Sequence, residues 1–173
     1  MKKKGFTLIE VLAAGFLVVV GAGGAFALIQ RIASFTSNAK LQLEASYLAQ
    51  EGVEIARNIR DSNFLNIHKG AEEVLWTDGL LGCDFGCEAD YADTALAVSQ
   101  DRFLLLSANG YGYDSGTASL FKRAIIVART ETEPGKPDKL EVSAQVTWQE
   151  RGRDHKVQAA TELYNWLSPA PTP

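Results

Sequence analysis

MKKKGFTLIEVLAAGFLVVVGAGGAFALI, residues 1–29, decides how the rest of the 173-residue chain is read. Three lysines open it, and from Phe6 to Ile29 the one charged residue is Glu10. As a helix, these roughly 24 residues rise about 36 Å, enough to cross a bilayer core of about 30 Å. The segment is predicted to span a membrane once. Lys2, Lys3 and Lys4 hold its start on the cytoplasmic side, which places everything after Ile29 outside the cytoplasm. A carboxylate within such a helix costs on the order of 3 kcal/mol unless it finds a partner, so Glu10 predicts a specific contact.

Gly5 followed by Phe6, with Glu10 four residues later, resembles the processing signal of type IV pilins and type II secretion pseudopilins, and GFTLIEVL is close to that family's consensus. The resemblance implies a five-residue leader, residues 1–5. It further implies that a prepilin peptidase cuts between Gly5 and Phe6 and methylates the new Phe6 amine, so that the helix stays on the mature protein. In that family the carboxylate at the position of Glu10 meets the N-terminal ammonium of a neighbouring subunit. Two other readings compete. A plain signal anchor explains the length and the lysines but leaves Glu10 and the Gly5-Phe6 junction as coincidences. A conventional secretory signal would use Ala25-Phe26-Ala27 as its cleavage site and release a soluble binding protein or enzyme, but Glu10 interrupts its early part.

Gly15, Gly21, Gly23 and Gly24 are many for a helix standing alone, each costing up to about 1 kcal/mol relative to alanine. They predict close packing or local unwinding, against a background enrichment of glycine in membrane helices. Many type IV pilins carry a proline in this region; the first proline here is Pro134.

Beyond Gln30 the pattern becomes that of an amphipathic helix over 30–61, with Leu41, Ala45, Leu48, Gly52, Ile55 and Ile59 at spacings of three and four. Glu44, Glu51, Glu54, Arg57 and Arg60 fall on the other faces, with Glu54 and Asn58, and Arg57 and Asp61, at i,i+4 spacing. Asp61-Ser62-Asn63 is expected to end the helix. The tract YLAQEGVEIARNIRDSNF, residues 47–64, resembles the same region of bacterial minor pilins.

Residues 62–167 are predicted to form one extracytoplasmic head. Its first part, 62–101, reads as loops with one short strand. Cys83 and Cys87 lie on the oxidising side, which favours a small disulfide over two free thiols, with Gly86 easing the tight turn. Asp84, Glu88, Asp90 and Asp93 match no EF-hand spacing and read as a solvated acidic loop, so no metal site and no cofactor is assigned. From Arg102 the period becomes two. Strands are expected at Phe103–Leu106, Lys122–Thr130, Leu140–Trp148 and Val157–Trp166, with turns at Asn109-Gly110, Pro134-Gly135 and Arg151-Gly152. The expected class is α+β: a long N-terminal helix whose amphipathic half covers the apolar face of an antiparallel sheet of about four strands, the pilin-like arrangement. Residues 168–173 read as a disordered tail.

No nucleophile elbow, phosphate loop, H-E-x-x-H or dinucleotide fingerprint occurs, so no catalytic residue is assigned. His68 and His155 read as surface histidines, and Trp76, Trp148 and Trp166 as core. The net charge of −4 falls to −7 without the leader lysines, which disfavours a nucleic-acid partner. Together with the resemblance, these residues predict a structural subunit, a minor pilin, held by one helix in the inner (cytoplasmic) membrane before assembly and displayed on a cell-surface filament afterwards. Its expected partners are other pilin subunits, the prepilin peptidase and the inner-membrane assembly platform. Its expected roles are initiation, adhesion, or DNA uptake and motility, and a minor pseudopilin of a type II secretion system is the alternative.

Overall fold

A computed structural model describes residues 5, 7–71, 73–133 and 136–166. The chain divides into two compact units, Met1–Gln42 and Leu43–Pro173, and helix α1 (Leu8–His68) contributes to both. Within the first unit the helix is continuous through Gly21, Gly23 and Gly24. Apart from the adjoining turns of the helix itself, no heavy atom lies within 4 Å of a Cβ built at any of these glycines or at Gly15. Neither unwinding nor close packing within this chain therefore accounts for them.

The second unit, the head, is built on the C-terminal part of α1. Ala45, Leu48, Ala49, Gly52, Val53, Ile55, Ala56, Ile59 and Phe64 are buried there, which is the predicted stripe widened by its neighbours. They pack on a five-stranded sheet of order β2-β1-β6-β7-β8, comprising β1 (Cys87–Glu88), β2 (Ala97–Val98), β6 (Phe121–Glu133), β7 (Lys136–Glu150) and β8 (Arg153–Tyr164). A second sheet of order β4-β3-β5 is formed by β3 (Leu105–Ser107), β4 (Gly110–Gly112) and β5 (Thr117–Ala118). All pairings are antiparallel. On β6 the odd positions from Phe121 to Val127 face the helix, and on β7 the even positions from Leu140 to Trp148 do so. Gly52 sets how closely helix and sheet approach: a Cβ there would lie 2.7 Å from Ala144 Cβ and 3.0 Å from Arg123 Cδ.

Several expectations are corrected. The architecture is α+β as read, but with five strands and a separate three-stranded sheet rather than one meander of four. Strands of two or three residues, such as β1 to β5, are too short to leave a period. The strand expected at Phe103–Leu106 begins at Leu105 and belongs to the small sheet. The helix does not stop at Asp61 but at His68, which is therefore helical rather than in a loop. Burial of Phe64 against Trp76 overrides the turn-forming residues, and Asn63 is held by hydrogen bonds from Nδ2 to the carbonyls of Trp76 (3.3 Å) and Asp78 (2.8 Å). The helix then ends in a Schellman cap: Gly70 has φ 92°, Gly70 N donates to Ile67 O and Ala71 N to Asn66 O.

Trp76 and Trp148 are core, but Trp166 is 64% exposed and sets its edge on Phe64. Arg57 pairs with Glu54 instead of Asp61, which pairs with Arg60. The Arg151-Gly152 turn is a two-residue hairpin with φ of 51° and 74°, the pair of positive values that a type I′ turn requires. The expected Pro134-Gly135 turn and the tail 168–173 lie outside the described residues.

Candidate functional site

The segment that carries the processing motif starts α1. Gly5 is exposed with no neighbour within 4 Å of a built Cβ, and Phe6 lies outside the described residues. Thr7 and Glu10 form a capping box. Thr7 N donates to Glu10 Oε2 (3.2 Å), the Thr7 hydroxyl lies 3.3 Å from the same oxygen, and Glu10 N donates to Thr7 Oγ1 (3.4 Å). Glu10 thus satisfies backbone donors at the positive end of its own helix. The sequence reading missed Thr7, although T-L-I-E fits the S/T-x-x-E capping signature.

From Leu8 to Phe35 the large apolar side chains are between 55% and 81% exposed in the single chain. This is the one described helix long and apolar enough to cross a membrane. So continuous an apolar surface is unfavourable in water.

In the head, Cys83 and Cys87 are bridged, with Cα atoms 5.3 Å apart. Gly86, at φ 110°, turns the short loop, and Phe85 stands fully exposed at its tip. Closing so small a loop is worth about 2 kcal/mol. Replacing both cysteines by serine is expected to lower head stability by about that amount. The loss should stay local, because Val127 N to Cys83 O (3.2 Å) and Ser99 N to Gly86 O (3.1 Å) still tie the loop to the sheet. Denaturant titration of the full chain in detergent, with and without reductant, reads it.

Two buried charges organise the loops around this bridge: Glu88, expected with Asp90 in a solvated acidic loop, is instead buried, as Asp90 is, because its carboxylate is the acceptor for neighbouring donors, and Arg123 carried no expectation. Glu88 accepts hydrogen bonds from Arg102 Nε (2.8 Å), from the backbone N–H groups of Gln100 and Arg102 (3.0 Å each) and from Ser99 Oγ (2.9 Å). Burial alone would raise its pKa, but the hydrogen bonds from Arg102, Ser99 and Gln100 together outweigh it and hold the carboxyl below its usual range. Arg123 is fully buried and reaches Leu48 O (3.3 Å), Ala89 O (2.7 Å) and Glu51 Oε1 (3.2 Å). Burial pushes the Tyr113 phenol up to about 12, and its hydroxyl donates to the Arg123 carbonyl (3.2 Å).

The acidic residues of the loop are engaged locally rather than gathered. Asp90 Oδ1 caps Ala92 N and Asp93 Oδ2 caps Asp90 N. Among the described residues no three His, Cys, Asp or Glu side chains come together as a metal site. An open groove of about 480 Å³ runs past Phe103, Lys122, Trp148 and His155; Lys122 is paired with Asp101 and His155 is stacked on Trp148 (5.2 Å). Compared with known proteins, the chain matches no family model, no curated protein and no solved structure.

Proposed function

We propose that the chain is a structural subunit of a type IV pilus-like filament, a minor pilin that prepilin peptidase processes at Gly5-Phe6 and that assembles through its N-terminal helix. One observation carries the reading: GFTLIEVL opens a helix whose large apolar side chains from Leu8 to Phe35 are exposed on every side, with a single carboxylate, Glu10, in its first turn. A lone anchor needs no such carboxylate. A helix surrounded by copies of itself gives it a use, because the amine of Phe6 in a neighbouring copy would neutralise a charge that is otherwise expensive in an apolar setting. Gly15, Gly21, Gly23 and Gly24, which meet nothing within the chain outside their own helix, would then let neighbouring helices approach closely. The head would face outward, with the disulfide loop among its contact surfaces, in initiation, adhesion, DNA uptake or motility. A minor pseudopilin of a type II secretion filament would share every one of these features.

Mass spectrometry of the membrane-extracted protein is expected to show an N-terminus at Phe6 bearing one methyl group; a terminus at Phe26 or Leu28 would instead support secretion by conventional signal cleavage. Glu10→Ala and Glu10→Gln then separate capping from assembly. Glutamine still accepts the capping hydrogen bonds but carries no charge. Both variants are expected to insert and be processed normally and to enter filaments at least about tenfold less often. Normal incorporation of Glu10→Gln would show that Glu10 serves only its own helix.

A further inference from the structure

We infer that strand β8 is a self-complementary edge through which the head pairs with the head of a second copy of this chain. An antiparallel pair of identical strands is related by a two-fold axis, so this contact closes on itself as a dimer. It is therefore separate from any open-ended filament contact and does not depend on the filament reading. Among the described residues β8 is hydrogen-bonded to β7 on one side and to no strand on the other. It is long, Arg153–Tyr164, whereas the opposite edge of the sheet is the two-residue β2. Long open edges are where sheets add strands.

The sequence of β8 selects the partner and the register. When Ala159 lies opposite Ala159 of the other copy, residues whose numbers differ equally from 159 face each other. On the outer face Lys156 then meets Glu162, Gln158 meets Ala160, and Asp154 meets Tyr164. On the helix-side face Val157 meets Thr161, and His155 meets Leu163. The Lys156–Glu162 ion pair occurs twice by symmetry or not at all, and opposite charges directly across a ladder stabilise it. Moving the register by two residues one way places Asp154 against Glu162, two like charges. Moving it two the other way leaves Lys156 against Tyr164 and Glu162 against Gln158. A shift of one would set the outer row against the helix-side row.

The helix-side row also gains cover. Val157, Ala159 and Thr161 are only half-buried, so the apolar face continues past the area that α1 shields. Residues 154–164 extend over about 35 Å, a long ladder for one contact. Within its own chain Glu162 already accepts from Lys139 (2.9 Å) and from the Tyr164 hydroxyl, which fixes the carboxylate on the outer face where Lys156 of the second copy would meet it.

Because the apolar part of α1 associates copies in detergent by itself, molecular mass alone is not the test. Across an antiparallel pair, opposed Cα atoms lie about 4.5–5.5 Å apart, within the span of a disulfide. With Cys83 and Cys87 bridged, Ala159→Cys introduces the single free thiol. The full chain in detergent under mild oxidation is expected to cross-link at position 159 at least about tenfold faster than Ser143→Cys, which lies on the outer face of β7 away from the edge. Equal rates would overturn the proposal. In the same assay Lys156→Glu and Glu162→Lys, each added to Ala159→Cys, are expected to slow cross-linking about tenfold, and the two together to restore it to within about threefold. Charge reversals that leave the rate unchanged, or a double reversal no faster than the single ones, would overturn the register.

Discussion

Glu88→Ala is expected to destabilise the head by about 4 kcal/mol, a large share of the roughly 5–15 kcal/mol that holds a domain of this kind together. The carboxylate is the shared acceptor for the turn that returns the chain from β2 toward β3. Without it the N–H groups of Gln100 and Arg102 lose their acceptor inside the head. Arg102 suffers less, because its side chain is 44% exposed and can turn to water while remaining stacked on Tyr113. The backbone donors therefore dominate the loss. Glu88→Gln keeps the shape and some acceptor capacity and is expected to cost about half as much.

The same site predicts an acid dependence with a definite sign. The folded-state pKa of Glu88 is depressed below its ordinary value of 4.5, so its contribution is complete above that value and is lost as pH falls below it through the folded pKa. The wild-type head should lose stability on acidification below about pH 4.5 more steeply than Glu88→Gln, which has no proton to take up there. Urea midpoints of the full chain in detergent at pH 7 and pH 4 measure both the offset and the slope. Parallel pH profiles for the two proteins would show that Glu88 is not held ionised by its partners.

What the sequence revealed follows from how many residues share each signal. The stripe from Ala45 to Ile59 repeats over four helical turns, and Leu140 to Trp148 alternates without a break, so α1 and β7 were legible in type and in buried face. The Arg151-Gly152 turn was legible because the local backbone requirement falls on two adjacent residues. The end of α1 was not, because Asp61-Ser62-Asn63 favours a turn locally while Phe64 and Asn63 gain more from burial and from distant carbonyls. Gly70 was the better stop signal, lying just past His68 and Lys69. The strands β1 to β5 hold two or three residues each, and pairing partners far along the chain, such as Cys87 with Ile125, define them. At the N-terminus, charge and hydropathy exposed Glu10, whereas its bond to Thr7 needed the capping pattern to be sought as well. Arg123 left no such signal, because both rows of β6 are apolar from Ala124 to Ala128, and the carbonyls it serves come from α1 and from the loop after β1, which no local pattern connects.

Arg123→Ala is expected to be at least as damaging as Glu88→Ala, at about 4 kcal/mol, and for a different mix of reasons. The truncation opens a cavity beneath Gly52, whose missing Cβ is what lets the Arg123 stem lie against the helix. It also leaves Ala89 O without its buried donor, while Leu48 O loses a longer bond, and Glu51, 36% exposed, can turn to water. Arg123→Met separates these effects. Methionine fills most of the volume, removes the charge and leaves the Ala89 carbonyl unsatisfied, so the expected loss is about 2 kcal/mol, the penalty for one buried acceptor. If Met and Ala were equally destabilising, the hydrogen bonds would carry the whole effect; if Met were neutral, packing alone would. The intermediate result is expected because Arg123 joins three elements at once: its guanidinium grips α1 and the loop after β1, and its stem fills the space that Gly52 leaves between helix and sheet.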